Sequence, residues 1–324
     1  MIITRAPLRI SIGGGGTDLP AYYEKFGGAF ISAAIDKYVY LGLHKTFQKT
    51  FIVKYAQMEQ VDSIEQIKHP IVREAFRLHE MKPQLEMMSM ADIPAGTGLG
   101  SSGSFTVGLL KAIYTIKREN ISPMALAEEA CHIEMNLLGE PVGKQDQYIS
   151  SVGGFTYFEI AKGGEVSVSP LRLSSSALHD LEDHLMLFFT GFTRSASEVL
   201  KEQQKGIKNE SPAFIENMHF IKSLGQEIKR ALEKGDCREF GALMHQHWLH
   251  KAKQSGSMSN PQIDKWYQIA KDNGAIGGKL IGAGGGGFLL FYAEQRNKLR
   301  EALQNAGLQE VRFAFDFEGA KRMV

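Results

Sequence analysis

An α+β fold is predicted from three observations. Strand-like apolar runs and stretches of helical period succeed one another without strict β–α–β alternation, which argues against a doubly wound sheet. Three glycine-dense loops, at residues 13–18, 94–104 and 282–287, adjoin such runs and turn the chain sharply at three separate places. The 324 residues, 43% hydrophobic and 23% charged, suit an ordinary soluble protein with ample core, and their number predicts two domains.

Taken in order, the apolar run Leu8 to Ile12 leads into Gly13-Gly14-Gly15-Gly16-Thr17-Asp18. Leu85 to Ala91 reads as a strand with Leu85, Met87, Ser89 and Ala91 on one face. A helix follows the second loop, its stripe formed by Phe105, Leu109, Ile113 and Ile116. The next helix, opened by Ser122 as N-cap and Pro123 in its first position, runs to Leu138. A domain seam is expected near residues 150–165, around Gly153-Gly154, dividing the chain into 1–160 and 161–324. Strands are expected at Phe155 to Ile160, Val166 to Ser169 and Leu185 to Phe189. A capping box at Ser195 to Glu198 starts a helix reaching about Lys205. Further helices span Phe214 to Lys234, stopped by Gly235, and Pro261 to Gly274, capped by Asn260. The chain ends as strand (Phe288 to Tyr292), helix (Gln295 to Asn305, stopped by Gly307) and a last strand with Val311, Phe313, Phe315 and Phe317 on one face.

Charge and cysteine usage narrow the function classes. Net charge is +1, from 37 basic and 36 acidic residues, so neither nucleic acid nor a membrane surface is an expected partner. The two cysteines, Cys131 and Cys237, both fall in helical patterns, as in a reduced, cytoplasmic protein without a disulfide framework. No signal peptide or membrane span is predicted, because Arg5, Arg9 and Asp18 break up the amino terminus.

Pro94-Ala-Gly96-Thr-Gly98-Leu-Gly100-Ser101-Ser102-Gly103-Ser104 is the most informative stretch. A glycine-dense turn feeding a helix leaves the first helical N–H groups unpaired, lets an anion approach closely, and places it at the positive end of the helix dipole. Serine hydroxyls at the helix start are available to a phosphate-bound metal ion, which points to a nucleoside triphosphate. Pro94, Gly96, Gly98, Gly100, Ser101, Ser102 and Gly103 are therefore the candidate nucleotide-binding residues. The loop is not a Walker A motif, since Gly100 stands where a lysine is needed. It contains a literal GxGxxG at Gly98, Gly100 and Gly103, but a helix follows where a Rossmann unit needs a second strand ending in an acidic residue. One such turn is often merely structural. Three in a compact chain predict a shared site lined by main chain, with Gly15 and Gly16 of the first loop and Gly284 and Gly285 of the third facing substrate.

The chain resembles the GHMP kinase superfamily. The three family motifs are matched by Ala6-Pro7-Leu8-Arg9 through Asp18, by Pro94 through Ser104, and by Lys279 through Gly287. Within the superfamily, the sequence is most similar to the D-glycero-α-D-manno-heptose 7-phosphate kinases. The strings that carry this are Gly14-Gly-Gly-Thr-Asp18-Leu-Pro, Gly139-Glu-Pro-Val-Gly-Lys-Gln-Asp146-Gln-Tyr and Phe189-Thr-Gly-Phe-Thr-Arg194-Ser-Ala-Ser. The resemblance implies a GHMP kinase fold, with a ribosomal-S5-like amino-terminal domain, a ferredoxin-like carboxy-terminal domain and the active site between them. It also implies ATP as co-substrate, Mg²⁺, and phosphorylation of an anomeric hydroxyl to give a 1,7-bisphosphate. An unphosphorylated sugar of fucose or galactose type is the alternative acceptor, and a non-catalytic sugar or nucleotide sensor is the rival of a different class.

Carried onto this sequence, the family's metal ligands fall on Glu134, twelve residues before Asp146, and on Ser102 or its neighbour Ser101. The family's catalytic aspartate falls on Asp146, ionised at neutral pH and able to take a proton, and its basic companion on Arg9. Asp18 matches the sugar-binding aspartate of the galactokinase string G-E-H-T-D, whose Glu and His are replaced here by Gly15 and Gly16, leaving room for a longer or anionic substrate. Thr17 is a further candidate contact. For a substrate phosphate, Arg194 with Ser195 at a helix start is the first candidate, Lys144 the second, and His247 or Lys251 a distant third. The run His245-Gln-His247-Trp248-Leu-His250-Lys251 does not predict zinc, having no cysteine or carboxylate at ligand spacing.

Overall fold

The computed structural model describes residues 1–192, 196–208, 211–252 and 258–324. Its frame is a long antiparallel pair, β1 (Ile2–Gly13) and β2 (Gly28–Lys45), joined through the first glycine loop and α1 (Pro20–Phe26). β2 serves two partners in succession. Its first half pairs with β6 (Phe155–Ile160) and its second half with β5 (Leu85–Ala91). β5 continues in parallel to β3 (Phe51–Lys54), and β3 to β4 (Met58–Val61). β7 (Val166–Pro170) closes the other side against β6. β2 is apolar almost throughout its first half because both its faces are covered. Phe30 and Ala34 pack with Ala127, Tyr148 and Ile149, while Ala29, Ile31 and Ala33 join the main core with Leu224 and Ile228.

The helices behind this sheet are α3 (Ser101–Lys117), α4 (Pro123–Cys131) and α5 (Gln145–Val152). Leu109 and Ile113 of the predicted α3 stripe are buried. Ser122 caps α4 as expected, accepting from the Ala125 N–H at 3.2 Å. The expected helix to Leu138 is not uniform, however. After Cys131 the segment His132–Leu137 widens into a π-helical turn, and Glu134 sits in that turn. Such turns offset a side chain from the α-helical face it would otherwise share.

A second, antiparallel sheet has the order β11 (Gln309–Val311), β8 (Leu185–Phe189), β10 (Phe288–Ala293), β9 (Ala275–Leu280). Alternate residues face opposite ways. Met186, Phe188, Leu289 and Phe291 pack with Trp248, with Ile263 and Trp266 of α10 (Pro261–Asp272) and with Leu299 of α11 (Arg296–Asn305); Leu187 and Leu290 face the main core. α6 (Ser175–His184), α7 (Ala196–Lys208), α8 (Pro212–Lys234) and α9 (Cys237–Ala252) complete this half. The capping box begun by Ser195 lies outside the described residues.

Two expectations change here. The first sheet runs past residue 160, since the hairpin through Gly163-Gly164 adds β7, so a division at 160 would separate two hydrogen-bonded strands. The last strand is shorter than its alternation suggested. β11 ends at Val311, and the chain then crosses to the first sheet, where Phe315 bridges Ile35 and its ring meets Phe155 at 4.7 Å, while Phe317 is exposed. β12 (Lys321–Arg322) then pairs with β1. The side chain of Asp316 holds this crossing: Oδ1 accepts from the N–H groups of Glu318 and Gly319, and Oδ2 from the Tyr38 hydroxyl at 2.9 Å. Arg5 lies 3.5 Å from the same carboxylate. Asp316→Ala leaves buried donors without acceptors and is expected to cost about 3 kcal/mol of unfolding free energy, read from urea denaturation.

Candidate active site

The phosphate loop emerges from β5 and enters α3 through Gly100, whose left-handed backbone (φ 79°) sets the helix start with no side chain capping it. The first N–H groups of α3 thus face the cleft with the helix dipole behind them. The third glycine loop lies directly against this one. A Cβ on Gly282 would stand 2.6 Å from the Cα of Gly98, and one on Gly98 would stand 2.8 Å from the carbonyl oxygen of Ile281. Only glycine at both places lets the two main chains meet. The first loop completes the wall, and one cleft is lined by Gly15, Gly16, Gly96, Gly98, Gly100, Ser101, Ser102, Gly282 and Ala283.

Arg9 and Asp146 meet at the centre. Arg9 projects from β1 and Asp146 from the first turn of α5, with both the Nε and a terminal nitrogen of Arg9 2.7 Å from Asp146 Oδ1. The guanidinium also donates to the carbonyl of Gly98 at 2.5 Å. Asp146 keeps 30% of its side chain exposed to the cleft, whereas Arg9 keeps 7%. A proton acceptor is therefore presented while its cation is held behind it. Asp18 lies alongside, with Oδ1 taking the Gly16 N–H at 3.0 Å and Oδ2 the Gln145 N–H at 3.2 Å. Burial, and then the nearby Asp146 charge, raise its pKa, and these N–H bonds work against the rise. Gly143 makes this approach possible, since a Cβ there would fall 2.0 Å from Asp18 Oδ2.

Glu134 is almost fully buried and is reached from α3 by Ser102, whose hydroxyl donates to Oε2 at 2.5 Å; Gln147 Nε2 donates to Oε1 at 2.9 Å. Burial raises its pKa, opposed by hydrogen bonds from Ser102, Gln147 and Thr106. A buried carboxylate supported only by neutral donors, beside a hydroxyl on the cleft wall, fits a hard divalent cation that takes oxygen ligands and shares the rest of its shell with phosphates. Among the described residues there is no cluster of three or more His, Cys, Asp or Glu able to hold an ion by themselves.

Several candidates are placed elsewhere. Thr17 is buried with its hydroxyl donating to the carbonyls of Gly14 and Ala29, so it shapes the loop and does not reach the cleft. Lys144 turns away, its ammonium spent on Glu128 (3.2 Å) and the Gly164 carbonyl (2.7 Å), because the helical start of α5 points it opposite to Asp146. Gly284 and Gly285 face Met258, and Gly285 donates its N–H to the Met258 carbonyl, so the third loop offers Gly282 and Ala283 to the cleft instead. Pro94 is exposed outside the lining, and its carbonyl takes the Thr97 hydroxyl. Gly103 serves packing, since a Cβ there would press on Asp146 at 2.7 Å. Arg194 and Ser195 lie outside the described residues.

The cleft is also lined by residues that were not leading candidates: Ser11, Gln145 and Lys279 and, promoted from the last rank, His247 and Lys251. His247 and Lys251 share one face of α9 at i, i+4 spacing. Lys279 occurs at the edge of the third motif, but its direction depends on which face of β9 meets the cleft.

With this geometry in place, the comparisons with known proteins are specific. The pattern for the GHMP kinases N-terminal domain matches residues 67–154, and that for the GHMP kinases C-terminal domain matches residues 228–309. A D-glycero-alpha-D-manno-heptose 7-phosphate kinase of Campylobacter jejuni is 32% identical, over 99% of this chain and 98% of its own length. The chain belongs to the GHMP kinases. It is a phosphotransferase with an alcohol group as acceptor, built on the GHMP kinase fold. Among solved structures, a D-glycero-D-manno-heptose 1-phosphate kinase from Bacteroides thetaiotaomicron superposes with a TM-score of 0.82 at 27% identity, covering 100% of this chain and 99% of that one. An L-fucokinase/L-fucose-1-P guanylyltransferase of Bacteroides fragilis is 27% identical over 95% of this chain, which spans 37% of that longer protein.

The buried cations make a stability prediction. Burial, and then Arg9, bring the Lys251 pKa down to about 8 against the pull of Asp18. Between pH 8 and the unfolded value of 10.5 the unfolded chain binds more protons than the folded one, so stability rises with pH across that window. Lys251→Met is expected to raise the melting temperature of the ligand-free GHMP kinase at pH 7, with an advantage over wild type that shrinks from pH 8 to pH 10. A constant difference across this range would show that the ammonium is not what burial penalises.

Proposed function

We propose that this GHMP kinase transfers the γ-phosphoryl group of ATP to the anomeric hydroxyl of D-glycero-D-manno-heptose 7-phosphate, giving the 1,7-bisphosphate and ADP. The observation that carries the kinase chemistry is the Arg9–Asp146 pair packed against the start of α3 in one cleft, with Asp18 beside it. The heptose follows from the full-length similarity to a kinase of that name. The nucleotide phosphates lie on the backbone N–H groups of Gly100 to Gly103, where the helix start stabilises their charge. Ser102 and Glu134 would hold Mg²⁺, which would supply charge neutralisation on the phosphates. Asp18 and the Gly15–Gly16 backbone orient the sugar. Asp146 takes the proton from the acceptor hydroxyl as its oxygen bonds to phosphorus. Arg9 keeps the carboxylate aimed. The fucokinase similarity favours, as a second reading, an unphosphorylated sugar at the same hydroxyl position.

Two experiments test the chemistry. Asp146→Asn is expected to lower turnover by about 10²-fold or more while leaving nucleotide affinity near wild type, measured by a coupled ADP assay and by nucleotide titration; activity within a few-fold of wild type removes Asp146 as base. Glu134→Ala and Ser102→Ala are each expected to raise the Mg²⁺ concentration for half-maximal rate. A shift with Ser101→Ala in place of Ser102→Ala moves the ion by one residue, and no shift in any of the three displaces it from this wall.

A further inference from the structure

We propose that His247, Lys251 and Lys279 form an anion subsite that receives the phosphate already carried by the acceptor, an inference that rests on the sugar-phosphate reading above. All three line or border the cleft and are buried to more than nine-tenths. Neither lysine has a carboxylate partner among the described residues. Lys251 donates to the carbonyl of Gly282 at 2.5 Å, and Lys279 to that of Ile12 at 3.3 Å. Among the described residues, neither ring nitrogen of His247 finds a hydrogen-bond partner. Among the described residues, the other candidate cations are already engaged, Arg9 by Asp146 and Gly98, Lys144 by Glu128.

A buried ammonium costs several kcal/mol unless an opposite charge meets it. Two of them within electrostatic reach of each other, with a third basic group beside them, compound that cost. Burial accordingly depresses the pKa values of Lys279 and His247 well below their ordinary ranges, with neighbouring cations pushing the same way. A phosphate monoester brings roughly −1.5 to −2 charges and three acceptor oxygens, the complement to two ammonium groups and an imidazole N–H.

The charges that Lys251 senses are those of Arg9 and of Asp18, the carboxylate proposed to hold the sugar. Lys279 reaches Ile12, in the strand that leads into the Gly13–Asp18 loop. A phosphate at the far end of the sugar from the reacting hydroxyl would meet these three groups while Asp18 holds the ring.

The test compares D-glycero-D-manno-heptose 7-phosphate with unphosphorylated D-glycero-D-manno-heptose in wild type, Lys251→Gln, Lys279→Met and Lys251→Arg. The two charge-removing variants should reduce the ratio of kcat/KM between phosphorylated and unphosphorylated sugar by about 10- to 100-fold, mainly through KM, and Lys251→Arg should restore part of it. Melting curves check that each variant is folded, and either charge-removing variant alone suffices. Equal losses on both sugars place the cluster on the transferred phosphoryl group, and a matching rise in the KM for ATP places it on the nucleotide; each result overturns the proposal. Calorimetry without ATP separates it from the reaction assignment. Wild type that binds heptose 7-phosphate through Lys251 but does not phosphorylate it keeps the subsite and loses the reaction. Wild type that prefers the 7-phosphate, with variants that share its preference, keeps the reaction and loses the subsite.

Discussion

The guanidinium of Arg9 is the contact on which the arrangement of the cleft depends. It joins three segments far apart in the chain: the strand that carries it, the phosphate loop through the Gly98 carbonyl, and the start of α5 through Asp146. A planar donor with several N–H groups in fixed geometry can hold a carboxylate and a carbonyl at once, which a lysine cannot. Because the Gly98 backbone also abuts Gly282, the same contact sets where the third loop lies. Nucleotide wall, proposed base and carboxy-terminal wall are thus referred to a single side chain.

Charge is distributed across the cleft in a way that favours ligands over stability. One wall carries Glu134, a buried carboxylate with neutral partners, and the other carries two buried lysines with carbonyl partners. Each is costly alone, since desolvating an ion exceeds what neutral dipoles return. Brought together directly they would cancel, and the site would then have no use for a cation or an anion. The two halves of the fold hold them apart, and the cost is carried by the cores on either side.

That separation depends on how the halves are tied. The first sheet receives β12 and the Phe315 bridge from the end of the chain, so the carboxy terminus returns across the amino-terminal strands. Main-chain contact between glycines makes the junction at the cleft itself. A Cβ at either position would clash with the facing main chain and force the walls to shift.

Much of this was legible in the residues. The glycine spacing from Pro94 to Gly103, the Ser122-Pro123 helix start and the apolar period of α3 are local signals, and local backbone preference fixed those elements where they were expected. The pairing of Ser102 with Glu134, and of Arg9 with Asp146, was legible only through family motifs, since no spacing rule relates residues so far apart. Tertiary structure alone decided which way the side chains face. Lys144 and Asp146 are two residues apart on one helix start, yet one turns to Glu128 and the other to the cleft. Thr17 and Asp18 are adjacent, yet one is consumed by its own loop. Lys251 and Lys279 come from a helix and a strand whose packing on each other determines what both can reach. Sequence carries the conformational preferences of neighbours; the direction of a charge in a cleft is set by packing between elements distant in the chain, and so it was written only in the fold.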